Sequence, residues 1–78
     1  MEGQEEGVYE TENYMIFFVK LPDVKKEEID LEMDDYKLAV KVKGKKKVMK
    51  SEKKIIPEKA NATFKDNILR VEVPKKKN

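Results

Sequence analysis

The chain has 78 residues, 38% hydrophobic and 44% charged, with a formal net charge of +2 and neither cysteine nor histidine. A chain of this order has room for one domain with one modest core, since about 60% of the unfolded surface is buried in domains of roughly 60 residues. Disulfide and thiolate chemistry are excluded, and the commonest general base and metal ligand is missing, so an enzyme is not expected and no cofactor is implied.

Residues 1–7, with two glycines and three glutamates, read as a disordered lead. The first 13 residues hold five glutamates and no apolar run, the opposite of a signal peptide. No stretch approaches the roughly 18 apolar residues of a membrane span. A cytoplasmic protein without membrane contact is the expectation. Residues 8–11 fit a short edge strand. Residues 14–21 (YMIFFVKL) form the most apolar segment, rich in aromatic and β-branched side chains and too short for a typical helix, hence a buried strand that Pro22 ends.

After a polar connector over residues 23–28, Ile29, Leu31 and Met33 alternate strictly with Asp30, Glu32 and Asp34, the pattern of a strand with one dry face. Tyr36, Leu38, Val40 and Val42 then alternate with Lys37, Ala39, Lys41 and Lys43. The two runs make a hairpin whose loop is either two or four residues, because parity does not choose between them. Its outward faces are acidic on one strand and basic on the other. That pairing accounts for much of a strong asymmetry: residues 1–35 carry twelve acidic and three basic side chains (net −9), residues 36–78 four acidic and fifteen basic (net +11).

Residues 44–54 (GKKKVMKSEKK) have only Val48 and Met49 as apolar members and read as a loop or at most a weak strand. Ile55, Ile56 and Pro57 end a short apolar segment. Ala60, Ala62 and Phe64 alternate with polar residues, and Asp66-Asn67 signals a turn because Asn tolerates the left-handed conformation. Leu69, Val71 and Val73 form a closing strand that Pro74 and three lysines terminate. Six to seven short strands with no credible helix predict an all-β, immunoglobulin-like antiparallel β-sandwich over residues 8–75, followed by a basic tail over residues 76–78.

This order of segments resembles the small heat-shock protein family and its alpha-crystallin domain. Leu21-Pro22-Asp23-Val24, followed by Lys25-Lys26-Glu27-Glu28-Ile29, is similar to the family's Leu-Pro-Gly-Val turn and charged connector. Ala62 with Phe64-Lys65-Asp66-Asn67-Ile68-Leu69 resembles its Ala-x-x-x-x-Gly-Val-Leu, and Val71-Glu72-Val73-Pro74-Lys75 its closing strand. Asp23 and Asn67 stand where the family usually has Gly. The long strand-exchange loop of microbial and plant members is replaced by the lysine-rich link. The long amino-terminal arm and the carboxy-terminal Ile-x-Ile tail are not found in the sequence, so the expectation is a minimal core that is a monomer or weak homodimer.

The resemblance implies an ATP-independent chaperone of the stress response, a holdase whose partners are unfolding client proteins or a carboxy-terminal Ile-x-Ile type peptide. The alternative is a module like the CS domain of co-chaperones, a related sandwich that binds a folded partner. Ile29, Leu31, Met33, Ala62 and Phe64 lie on the two strands that, by resemblance, border a peptide or client groove, and they read either as core alone or as core with an accessible edge. Tyr14, Ile16 and Phe18 share the face opposite Met15, Phe17, Val19 and Leu21. They form either an outer apolar patch or a surface covered by Val8-Tyr9 or by the lead. The lysine runs 45–47 and 75–77 lack an arginine cluster or interleaved aromatics, so nucleic acid is not expected as a partner. Glu27-Glu28 and Asp34-Asp35 lack the spacing of a calcium loop and read as solvated turns, with no metal and no catalytic residue assigned.

Overall fold

Apolar and polar side chains that alternate along an extended chain project to opposite faces, so one face can be buried while the other stays wet. In the computed structural model, which describes residues 5–77, this produces seven strands: β1 (Glu6–Glu10), β2 (Tyr14–Lys20), β3 (Asp30–Asp34), β4 (Lys37–Val42), β5 (Lys45–Lys50), β6 (Asn61–Lys65) and β7 (Ile68–Pro74). One antiparallel sheet has the order β1-β2-β7-β6 and the other β3-β4-β5. The core between them is built from Met15, Phe17 and Val19 of β2, Leu38 and Val40 of β4, Met49 of β5, and Leu69, Val71 and Val73 of β7, with Ile55 from the connector before β6. Phe17, Leu38, Ile55, Val71 and Val73 are the largest fully buried side chains, each contributing about 1.5–3 kcal/mol. The sandwich expected from the alternation is the observed fold.

Three tight hairpins set the register. Asp34 faces Lys37 across a two-residue loop, which decides between the two loop lengths, and the Asp34 carboxylate accepts the Tyr36 backbone N–H at 2.9 Å. The β4–β5 turn places Lys43 at φ 51° and Gly44 at φ 77°, and the β6–β7 turn places Asp66 at φ 54° and Asn67 at φ 67°. Positive φ at both central residues matches the twist of the flanking strands. Asp23 is also left-handed, at φ 59°, so Asp23 and Asn67 both adopt the conformation that glycine would supply at those positions.

Three expectations change. Residues 44–54 contain a full six-residue strand, β5, paired from Val42↔Lys45 to Lys37↔Lys50; Met49 anchors it in the core while its lysine heads reach water along apolar stems. Tyr36 does not share the inner face of Leu38 and Val40 but sits in the turn, 52% exposed, because the short loop takes both Asp35 and Tyr36. Glu6 and Gly7 belong to β1 instead of a disordered lead: Gly7 faces Phe18, whose ring lies 2.8 Å from where a Cβ would stand. Residues 1–4 of the expected lead lie outside the described residues. Lys76 of the expected tail is tied down by its backbone N–H, which donates to the Lys54 carbonyl at 2.8 Å, and Asn78 lies outside the described residues.

Candidate functional site

The two long sides of the sandwich differ. On one, β1 lies over β5, and Glu6 bridges to Lys47 at 2.6 Å. The terminal strands at the other side are therefore β6 and β3; like β1 and β5, each is paired with a single neighbour among the described residues. An unpaired strand edge offers a row of free backbone donors and acceptors.

The structure brings the five expected groove residues to this side. Leu31 and Met33 stand opposite Val40 and Leu38, and Ile29 immediately precedes the strand. Cross-strand partners project to the same face, so Leu31 and Met33 point between the sheets with the buried Leu38 and Val40. Ala62 stands opposite the fully buried Val71, and Phe64 opposite Leu69. Ile29, Leu31, Met33 and Phe64 are partly buried against the core, whereas Ala62 points between the sheets and is nonetheless exposed. A small side chain that faces inward at an open edge leaves a notch. Among the described residues no ion pair joins β3 to β6.

The rim of this side is charged and internally matched. Lys41 donates to Glu32 at 2.9 Å, and that hydrogen bond holds the Glu32 carboxyl below the usual carboxylate range while raising Lys41. The two acid pairs serve turns: beside the Asp34 contact described above, Glu28 accepts the Lys25 backbone N–H at 2.8 Å.

Tyr14, Ile16 and Phe18 share the outer face of the four-stranded sheet but do not form one open patch. Ile16 is only 3% exposed, flanked by its cross-strand partners Tyr9 and Glu72. Phe18 is partly buried, its ring 6.2 Å from that of Tyr9, and Tyr14 remains 41% exposed. The covering reading with Tyr9 therefore describes Ile16, and of the three only Tyr14 is exposed, on a face it shares with the exposed Tyr9.

One feature was not anticipated. Counting in twos from the buried Met49, Lys47 and Lys45 are at inward positions of β5, and beneath them a cavity of about 460 Å³ is floored by Val19, Leu21, Val40 and Val42. The signal was present in the parity of the lysine run but had no meaning until residues 45–50 were known to be a strand.

No family model matches the chain, and no curated protein matches it by sequence. Its likeness is to solved structures. Heat shock protein 16.0 from Schizosaccharomyces pombe superposes with a TM-score of 0.83 at 21% identity over 94% of this chain, which spans 66% of that protein, just under two thirds. A point mutant of hsp14.1 from Sulfolobus solfatataricus P2 gives a TM-score of 0.77 at 12% identity over 94% of this chain and 72% of its own length. The nuclear movement protein from E. cuniculi GB-M1 gives 0.76 at 17% identity over 96% of this chain and 90% of its own. No helix among the described residues is long and apolar enough to cross a membrane. Two of these three neighbours are heat-shock proteins, and this chain has the alpha-crystallin fold of the small heat-shock proteins.

Proposed function

We propose that the chain is an ATP-independent holdase core, non-enzymatic, that binds extended apolar segments of unfolding proteins along the β3–β6 side. The observation that carries this reading is an inward-facing yet exposed residue, Ala62, on the edge strand β6, at the side whose other edge strand is β3. A client segment added as a strand gains main-chain hydrogen bonds, and its alternate side chains enter the notch beside Met33 and Phe64. Methionine suits variable clients because its unbranched side chain re-packs readily. The lysine and glutamate surface keeps a loaded complex soluble, and the species expected is a monomer or weak dimer.

Heating an aggregation-prone client with a several-fold molar excess of the protein tests the reading. Suppressed light scattering, reversed by an Ile-x-Ile peptide that shifts the amide signals of β3 and β6, is the expected result. Undiminished aggregation would count against it.

A second reading, an adaptor that docks one folded partner in the manner of CS-domain co-chaperones, is supported by the likeness to the nuclear movement protein at a TM-score of 0.76, since one fold hosts several functions. Capture of a single folded protein, with no retention of heat-unfolded clients, would select it.

A further inference from the structure

The opposite side of the sandwich carries a different chemistry. β5 ends the three-stranded sheet, and among the described residues its backbone pairs only with β4. Its second edge therefore presents free N–H and C=O groups. The register puts Lys46, Val48 and Lys50 on the outer face and Lys45, Lys47 and Met49 on the inner. Lys47 is engaged by Glu6, whereas Lys45, Lys46 and Lys50 make no ion pair among the described residues. Below the first half of the strand lies the apolar cavity of about 460 Å³, with Lys45 and Lys46 at its rim.

We infer that β5 is a second docking edge, which takes an extended peptide of a partner protein in which acidic residues alternate with aliphatic ones. Period two places the carboxylates of such a strand beside Lys46 and Lys50 on the outer face, and its aliphatic side chains over the floor of Val19, Val40 and Val42 on the inner. Main-chain bonds to the free edge supply register, and opposite charges across neighbouring strands supply selection. A second copy of β5 is a poor occupant, because it would bring eight lysines into one ribbon. This site is independent of the β3–β6 notch.

The test is a titration of the full-length, isotope-labelled chain with a heptapeptide of alternating Glu and Val, beginning and ending in Glu. Amide shifts are expected on β5 and on Val19, Val40 and Val42, with affinity falling as salt rises. Lys46 and Lys50 are exposed, so the double variant K46E/K50E keeps the fold, read from unchanged Val71 and Val73 signals. It should bind this peptide about tenfold more weakly and bind a Lys–Val alternating peptide that the unaltered protein ignores. The unaltered protein's rejection of the Lys–Val peptide is diagnostic even if the variant misfolds. A peptide with the same residues but its glutamates in one block should bind at least about fivefold more weakly, since it cannot present one acidic face. Equal binding of the block peptide, tighter binding of a single-stranded oligonucleotide, or shifts confined to β3 and β6 would each overturn the assignment.

Discussion

The β1–β5 side and the β3–β6 side are made from strands of similar length, and among the described residues all four strands pair with a single neighbour, yet one side is tied by an ion pair and the other is open. Across the first, Glu6 reaches Lys47, and at the end of β1 Glu10 holds both Lys53 and Lys75, at 2.9 and 2.6 Å. At the second, among the described residues, no ion pair joins β3 to β6, their inward apolar side chains pack against the core, and Ala62 is exposed. Exposed ion pairs contribute little energy, typically about 0–1 kcal/mol, so their use here is geometric: they mark a side where strands already meet.

The scale of the comparison is set by the layer between the two sides. Val40→Asp places an unpaired carboxylate among core residues and should cost at least about 4 kcal/mol, while Lys41→Asp, one residue away on the outer face, should cost a small fraction of that. Equal losses of Tm in the two variants would show the register to be wrong. On the tied side, Gly7→Ala forces its Cβ against the Phe18 ring and should destabilise by about 1–3 kcal/mol, measured by urea unfolding. A silent substitution there would mean that β1 is loosely held.

Next in size are the ion pairs. Glu6→Gln should cost less than about 1 kcal/mol, a loss that high salt should erase. Hydrogen bonds from Lys75 and then Lys53 hold the Glu10 carboxyl below the usual carboxylate range. A carboxyl whose folded value is depressed stabilises the fold fully above its unfolded value, and that contribution is lost as pH falls through the lowered one. Stability should therefore decline below the ordinary carboxylate range, and Glu10→Gln should make the decline shallower. An unchanged acid limb in urea unfolding would show the contacts to be energetically idle. The smallest effect on stability is expected on the open side: Ala62→Glu, at an exposed edge position, should change unfolding by no more than about 0.5 kcal/mol yet abolish client protection. Retained protection would place client binding elsewhere.

Much of the frame was legible from residues alone. Strict alternation at Ile29, Leu31 and Met33 and again at Leu38, Val40 and Val42 gave both inner faces of β3 and β4, and Asp66-Asn67 gave a turn whose positive φ values are observed. Candidate groove residues were legible as inward positions, because parity carries that information. That their two strands border one side came from the family resemblance and not from parity, since parity within a strand says nothing about which sheet edges stack. Ile16 shows the same gap: its face was known, but its burial depends on Tyr9, a residue of another strand.

What this sequence determined by itself is local: the inner faces of the strongly alternating strands, the turn at Asp66-Asn67 and the absence of thiol and imidazole chemistry follow from side-chain period and residue identity. What only the tertiary structure decided is whether a weak local pattern becomes a strand and which edges stay free. Residues 45–50 have four lysines and would not commit to a strand alone, but β4 supplies their hydrogen-bond partners and the core receives Met49. With β5 in place beside β4 and over β1, the notch falls to β3 and β6 and the lysine edge to the other side, because a strand's partners come from distant parts of the chain and no local pattern encodes them.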